Sequence, residues 1–118
     1  MTKPEGWHSV TPRLFCDDPA ALVAFLERAF DATGTFHADR PSEMHVGDSI
    51  VMVSGTEARA ATRACFYLYV DDVDATFRRA LDAGAISVEE PGEMPWGDRR
   101  GIVTDPFGND WQIATYAD

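Results

Sequence analysis

Basic residues are scarce in this chain: ten lysines and arginines stand against twenty aspartates and glutamates, a formal charge of −10. A nucleic-acid surface needs a stripe of cations facing the phosphates, and the Arg99-Arg100 dipeptide is too small to supply one. No nucleic-acid partner is expected. Cysteine is thin as well: the two present, Cys16 and Cys65, lie in strand-like runs and make no disulfide framework. No apolar run reaches the length of a signal-peptide core or a membrane span, so no membrane partner is expected and a cytoplasmic location is the default. The glycines form no phosphate cradle, the Asp-rich segments lack the spacing of a calcium loop, and no Ser-His-Asp grouping occurs. Histidine is limited to His8, His37 and His45, which read as surface or strand-edge residues.

What is present is a core and a duplication. With 45% hydrophobic and 11% aromatic residues, 118 residues can bury a core as one domain, 1–118. The stretch "CDDPAALVAFLERAFDATG" from Cys16 and the stretch "VDDVDATFRRALDAGA" from Val70 share one plan. Each is a strand end, an Asp-Asp pair, an amphipathic helix and a small-residue stop. Downstream, "MHVGDSIVMV" and "GIVTDPFGNDWQIA" both read as strand, Asp-containing turn, strand. Two copies of one module, about 7–54 and 64–116, are therefore expected, joined by the polar segment 54–63 as a linker or short helix.

In the first helix Asp18 suits the N-cap and Pro19 the first helical position, which needs no N–H. Leu22, Phe25, Leu26, Ala29 and Phe30 then recur on one face. The second helix opens at Asp72, aligns Val73, Phe77, Ala80 and Leu81, and stops at Gly84. Strands are predicted at Trp7–Cys16, Gly34–Ala38, Glu43–Val46, Ile50–Ser54, Ala64–Val70, Ile86–Glu90, Arg99–Thr104 and Asp110–Tyr116. The fold class is α+β, two tandem βαβββ modules.

That tandem plan, with "YVDDVDATFRRALDAGA", "GDSIVMV" and "WGDRRGIVTDPFGNDWQIAT" in order, resembles the glyoxalase/bleomycin-resistance/extradiol-dioxygenase (vicinal oxygen chelate) superfamily from about Val10 to Thr115. The resemblance implies two curved half-barrel sheets and a homodimer. It does not fix an activity, because the superfamily includes isomerases, dioxygenases, thiol transferases and drug-sequestering proteins. In metal-using members the ligands lie on the first and last strands of each module. By the motifs those positions fall on Gln112 and Cys65, and by the internal repeat on Thr11 and Met52. Gln112 thus stands where catalytic relatives carry glutamate. Gln and Thr are neutral oxygen donors, Met is a soft thioether, and no His falls on these positions, so no metal and no other cofactor is expected. Cys65 reads as a small buried hydrophobe.

Strand alternation then gives the candidate cleft. Cys65, Tyr67 and Tyr69 share a face; so do Trp7, Thr11, Arg13 and Phe15; so do Ile50 and Met52; so do Asp110 and Gln112. Trp111 points the other way, into the core. Trp96 and Arg99 occupy a loop that relatives place near the cleft mouth, with Trp96 touching ligand or a second chain. Arg99 either faces the cleft or pairs with Asp98 or Asp105, and Arg13 either anchors an anionic ligand, pairs with Asp110 or is exposed. The expected ligand-binding residues are Arg13, Phe15, Met52, Cys65, Tyr67, Tyr69, Trp96, Arg99, Asp110 and Gln112, a composition suited to a small organic molecule. The functional expectation is a metal-independent binding protein that sequesters a cationic drug or metabolite, no residue being assigned a catalytic role. The alternative is a metal-dependent lyase, isomerase or oxygenase of the glyoxalase/dioxygenase kind. For metal-free catalysis only Asp110 and Tyr67 offer an acid or base.

Overall fold

The computed structural model describes residues 2–57 and 59–116. The elements run β1 (Arg13–Phe15), α1 (Pro19–Phe30), β2 (Thr33–Gly34), β3 (Ser42–Val46), β4 (Ser49–Ser54), β5 (Cys65–Tyr69), α2 (Val73–Asp82), β6 (Ile86–Glu93), β7 (Arg99–Thr104) and β8 (Asp110–Thr115). Two four-stranded sheets result, ordered β1-β4-β3-β2 and β5-β8-β7-β6. In each, the module's first strand pairs parallel with its last and the other neighbours are antiparallel. The repeat seen in the sequence is thus a repeat of topology, the tandem βαβββ plan, and neither sheet closes into a barrel.

Both helices start as their caps dictate. The Asp18 carboxylate accepts from the Ala21 N–H and that of Asp72 from the Ala75 N–H, satisfying donors that the first turn leaves free. α2 ends in a paired-carbonyl motif: Ala85 N–H donates to Ala80 O and Gly84 N–H to Leu81 O, with Gly84 at φ +113°. A β-carbon there would be strained, which is why glycine marks the stop.

By contact the chain forms two compact units, one of residues 1–27 and 31–62, the other of residues 28–30 and 63–118. The N-terminal unit buries Leu14, Leu22, Leu26, Met44 and Val53 almost completely. In the C-terminal unit Val103, Trp111 and Ile113 are buried, and Trp111 meets the rings of Phe30 at 4.7 Å and Phe66 at 4.4 Å. The core role predicted for Trp111 is correct.

Three strands depart from the sequence reading by more than one residue at a boundary. β1 covers Arg13–Phe15 rather than Trp7–Cys16. Pro12 has no N–H to donate, and a turn in which the Trp7 N–H reaches Pro4 O precedes it. β2 stops at Gly34, because the following loop closes on itself: the His37 N–H donates to the fully buried Ser42 hydroxyl. β6 continues through Pro91 and Gly92 to Glu93 with two register shifts, a tolerance that its place at the sheet edge permits. Residues 55–57 and 59–63 contain no helix. Among the described residues no helix is long and apolar enough to cross a membrane.

Candidate functional site

The C-terminal sheet presents α2 with one face and leaves the other open. Register assigns the open face: Tyr67 lies beside Gln112 and Cys65 beside Asp110, while Ile102 and Thr104 pair with Gln112 and Asp110 across β7 and β8. Alternation along β5 agrees, with Cys65, Tyr67 and Tyr69 exposed and Phe66 and Leu68 more covered.

The focus of this face is Asp98, in the turn before β7. Its side chain is buried (3% exposed), yet Oδ2 accepts from the Tyr67 hydroxyl at 2.9 Å, the Tyr69 hydroxyl at 3.0 Å and the Trp96 indole N–H at 3.3 Å. Three donors compensate the loss of water around the carboxylate. The aromatic bodies stay exposed, at 40% for Tyr67, 57% for Tyr69 and 59% for Trp96. The two tyrosine rings lie 5.3 Å apart, and the Tyr69 ring meets Tyr116 edge-on at 6.5 Å.

This arrangement disfavours phenolate. Removal from water raises the Tyr67 phenol above its usual 10, assisted by its hydrogen bond to Asp98 and the Asp98 charge, while Trp96 and Arg100 work the other way. For Tyr69 the hydrogen bond to Asp98 is the leading cause of the rise, followed by desolvation. Arg100 lies over the Trp96 ring, 5.3 Å from its centroid, and is held by Glu89 at 3.0 Å.

Not every predicted cleft residue arrives here. Cys65, Tyr67, Tyr69, Trp96, Asp110 and Gln112 do. Arg99 belongs to the opposite face, that of Gly101 and the buried Val103. Its guanidinium grips Asp74 of α2 through two hydrogen bonds at 2.8 and 2.9 Å and reaches Glu93 at 3.2 Å. Neither alternative offered for Arg99, cleft mouth or a pair with Asp98 or Asp105, describes it. Asp105 serves the turn instead, accepting from Phe107 N–H, Asn109 N–H, the Asn109 amide and the Trp111 indole. Cys65, read as a buried hydrophobe, is exposed, and the Gln112 amide nitrogen lies 3.7 Å from its sulfur.

Asp98 and Arg100 were missed. The signal for Arg100 was available: two-residue alternation from Gly101 and Val103, both small or apolar, assigns Arg99 to the covered side and Arg100 to the open one.

The predicted residues Arg13, Phe15 and Met52 lie in the N-terminal unit. Arg13 pairs with Met52 and Phe15 with Ser54 across β1 and β4. Arg13 Nε donates to Ser54 Oγ at 3.3 Å and its guanidinium lies 4.9 Å from the centroid of the Phe15 ring. Thr11 lies two residues before β1, with Pro12 between.

The donor set around Gln112 suits a divalent metal poorly. Gln112 offers a neutral amide directed at a single thiol, and Asp110 accepts a 2.6 Å hydrogen bond from Thr104. Among the described residues, no three His, Cys, Asp or Glu side chains converge as ligands would.

With this geometry in view, the comparisons fix the family. Residues 8–113 match the model of the Glyoxalase/Bleomycin resistance protein/Dioxygenase superfamily. The chain belongs to that superfamily. An uncharacterized protein of Mycobacterium bovis is 32% identical over 89% of this chain and 81% of its own length. Among solved structures, that of TioX from Micromonospora sp. ML1 is similar with a TM-score of 0.79 and 28% identity, covering 92% of this chain and 98% of the other. A glyoxalase/bleomycin resistance protein/dioxygenase family enzyme from Burkholderia phytofirmans, at 19% identity and a TM-score of 0.76 over 87% and 94% of the two chains, shares the fold.

Proposed function

We propose that this chain is a metal-independent binding member of its superfamily, and that the open face of its C-terminal sheet takes a cationic, planar organic molecule. One observation carries this reading: three exposed aromatic side chains converge on one buried carboxylate. A ring turned to solvent with a negative charge behind it attracts a cation through its π face, a contact worth about 0.5–2 kcal/mol each. Arg100 over Trp96 already uses one ring in this way. Asp98, with three donors on one oxygen, acts through its field rather than as a direct ligand; Asp110 adds negative charge on the same face, whereas Glu89 is spent on Arg100. The overall charge of −10 favours the same sign of ligand. No step of glyoxalase or dioxygenase chemistry is assigned, since the Gln112, Cys65 and Asp110 set lacks the donors a catalytic metal needs.

The test is calorimetric titration with a planar aromatic cation and its neutral isostere, beside metal analysis of protein purified without a His-tag and reincubated with nickel, zinc, manganese or iron(II). The cation should bind, the isostere bind more weakly, and Trp96→Ala weaken the cation by about tenfold. Equal binding of the isostere would remove the charge argument. Near-stoichiometric metal retained through gel filtration would instead return the protein to the metal-dependent enzymes.

A further inference from the structure

A cavity lies wholly within the N-terminal unit, and its lining carries cations, Arg13 and Arg40, beside two acids, Asp39 and Glu57. It measures about 490 Å³ and lies between β1, the end of β4 and the loop from Phe36 to Pro41. That volume falls within the range of small-molecule sites. Phe15, Phe36, Pro19 and Pro41 give it apolar walls, and Arg13, His37 and Arg40 give it nitrogen donors.

Among the described residues several arginines of this acidic chain take no carboxylate, Arg63 on the Gly108 carbonyl included, and three of them lie in this unit. In the C-terminal unit Arg99 and Arg100 are tied to carboxylates. Among the described residues, Arg13, Arg40 and Arg59 have no carboxylate within ion-pair distance, although Asp39 and Glu57 also line the cavity. Two of the three crowd one ring: the guanidiniums of Arg13 and Arg59 lie 4.9 and 5.7 Å from the Phe15 centroid. Two like charges held around one ring repel, and an anion between or beside them relieves that repulsion.

Arg13 is also posed. Its Nε is taken by Ser54 Oγ and its guanidinium carbon lies 4.9 Å from the Phe15 centroid, while both terminal nitrogens remain for a ligand. Such a pair of nitrogens matches two oxygens of a carboxylate or a phosphate. The opposite wall is fixed too, because the buried Ser42 hydroxyl accepts the His37 N–H and an Arg40 terminal nitrogen sits 3.2 Å from His37 Nε2.

We infer that this cavity is an anion site, binding an organic acid whose flat apolar body lies against Phe15 and Phe36 and whose anionic oxygens meet Arg13, with Arg59 close by. The inference is independent of the cation reading for the C-terminal sheet.

Calorimetric titration of the intact protein with phenylacetate, phenyl phosphate and the uncharged 2-phenylethanol tests it. The two anions should bind and the alcohol should not. Arg13→Gln should weaken the anions by about tenfold or more, and Arg59→Gln by less. Both sites are exposed, so melting curves should match the parent protein, and Trp96→Ala should leave anion binding unchanged. The stronger of the two anions identifies the head group, carboxylate or phosphate monoester. Absence of anion binding at millimolar concentration, or binding that survives both arginine changes, would overturn the assignment.

Discussion

Asp98 governs the open face of the C-terminal sheet at the scale of single residues. Both phenols that donate to it are raised above 10, so each contributes stability that is complete below pH 10 and lost as pH climbs through the raised value. Asp98→Asn keeps an acceptor and removes the charge. Followed by tyrosinate absorbance, Tyr69 should fall towards 10 by the larger amount, because Asp98 is its leading cause. Tyr67 should fall less, since desolvation persists. Equal, unshifted titrations in parent and variant would mean that the hydroxyls do not share this carboxylate. At this scale the sequence was only partly informative. Alternation placed Cys65, Tyr67, Tyr69, Asp110 and Gln112 on one face, because register in a strand follows from period two. It could not reveal Asp98, whose role depends on a turn carrying it back under two tyrosines 31 and 29 positions away.

Between elements, the packing of α2 on β7 rests on a close approach and on a latch. A β-carbon at Gly101 would stand 2.8 Å from Phe77 Cδ2 of α2 and 3.1 Å from Pro91 Cγ. Gly101→Ala should therefore push helix from sheet and cost about 1–3 kcal/mol in thermal or urea denaturation. A cost near zero would show that Phe77 yields freely. The latch is the Arg99–Asp74 pair. The hydrogen bond from Arg99 holds the Asp74 carboxyl below its usual 3.8, so its contribution is present above that value and fades as pH falls through the lowered one. Asp74→Asn should lower stability slightly at neutral pH, the pair being exposed, and flatten the acid limb below about pH 4 by that same small amount. The elements themselves were legible where side chains alone decide them. Asp18, Asp72 and Gly84 announce helix ends through local hydrogen bonds. The limits of β1, β2 and β6 were not, because they depend on which neighbour strand offers a partner, and neither Pro12 nor Pro91 says that by itself.

Over the whole molecule, the charge of −10 is a field that every ligand crosses. It attracts a cation to the C-terminal face and repels an anion from the arginines of the N-terminal unit. Local contacts and the global field therefore act together for the cation and against one another for the anion. Salt screens the long-range part first, since the Debye length shrinks from about 10 Å at 0.1 M to about 3 Å at 1 M. Raising sodium chloride across that range should weaken the cation steadily. The anion should respond far less, because lost attraction to Arg13 and Arg59 is offset by lost repulsion from the remaining acids. Calorimetry of both probes at three salt concentrations measures the two slopes. Parallel, equally steep weakening would mean that the anion senses only its arginines. An anion whose affinity rises with salt would mean that the acidic surface outweighs the pocket.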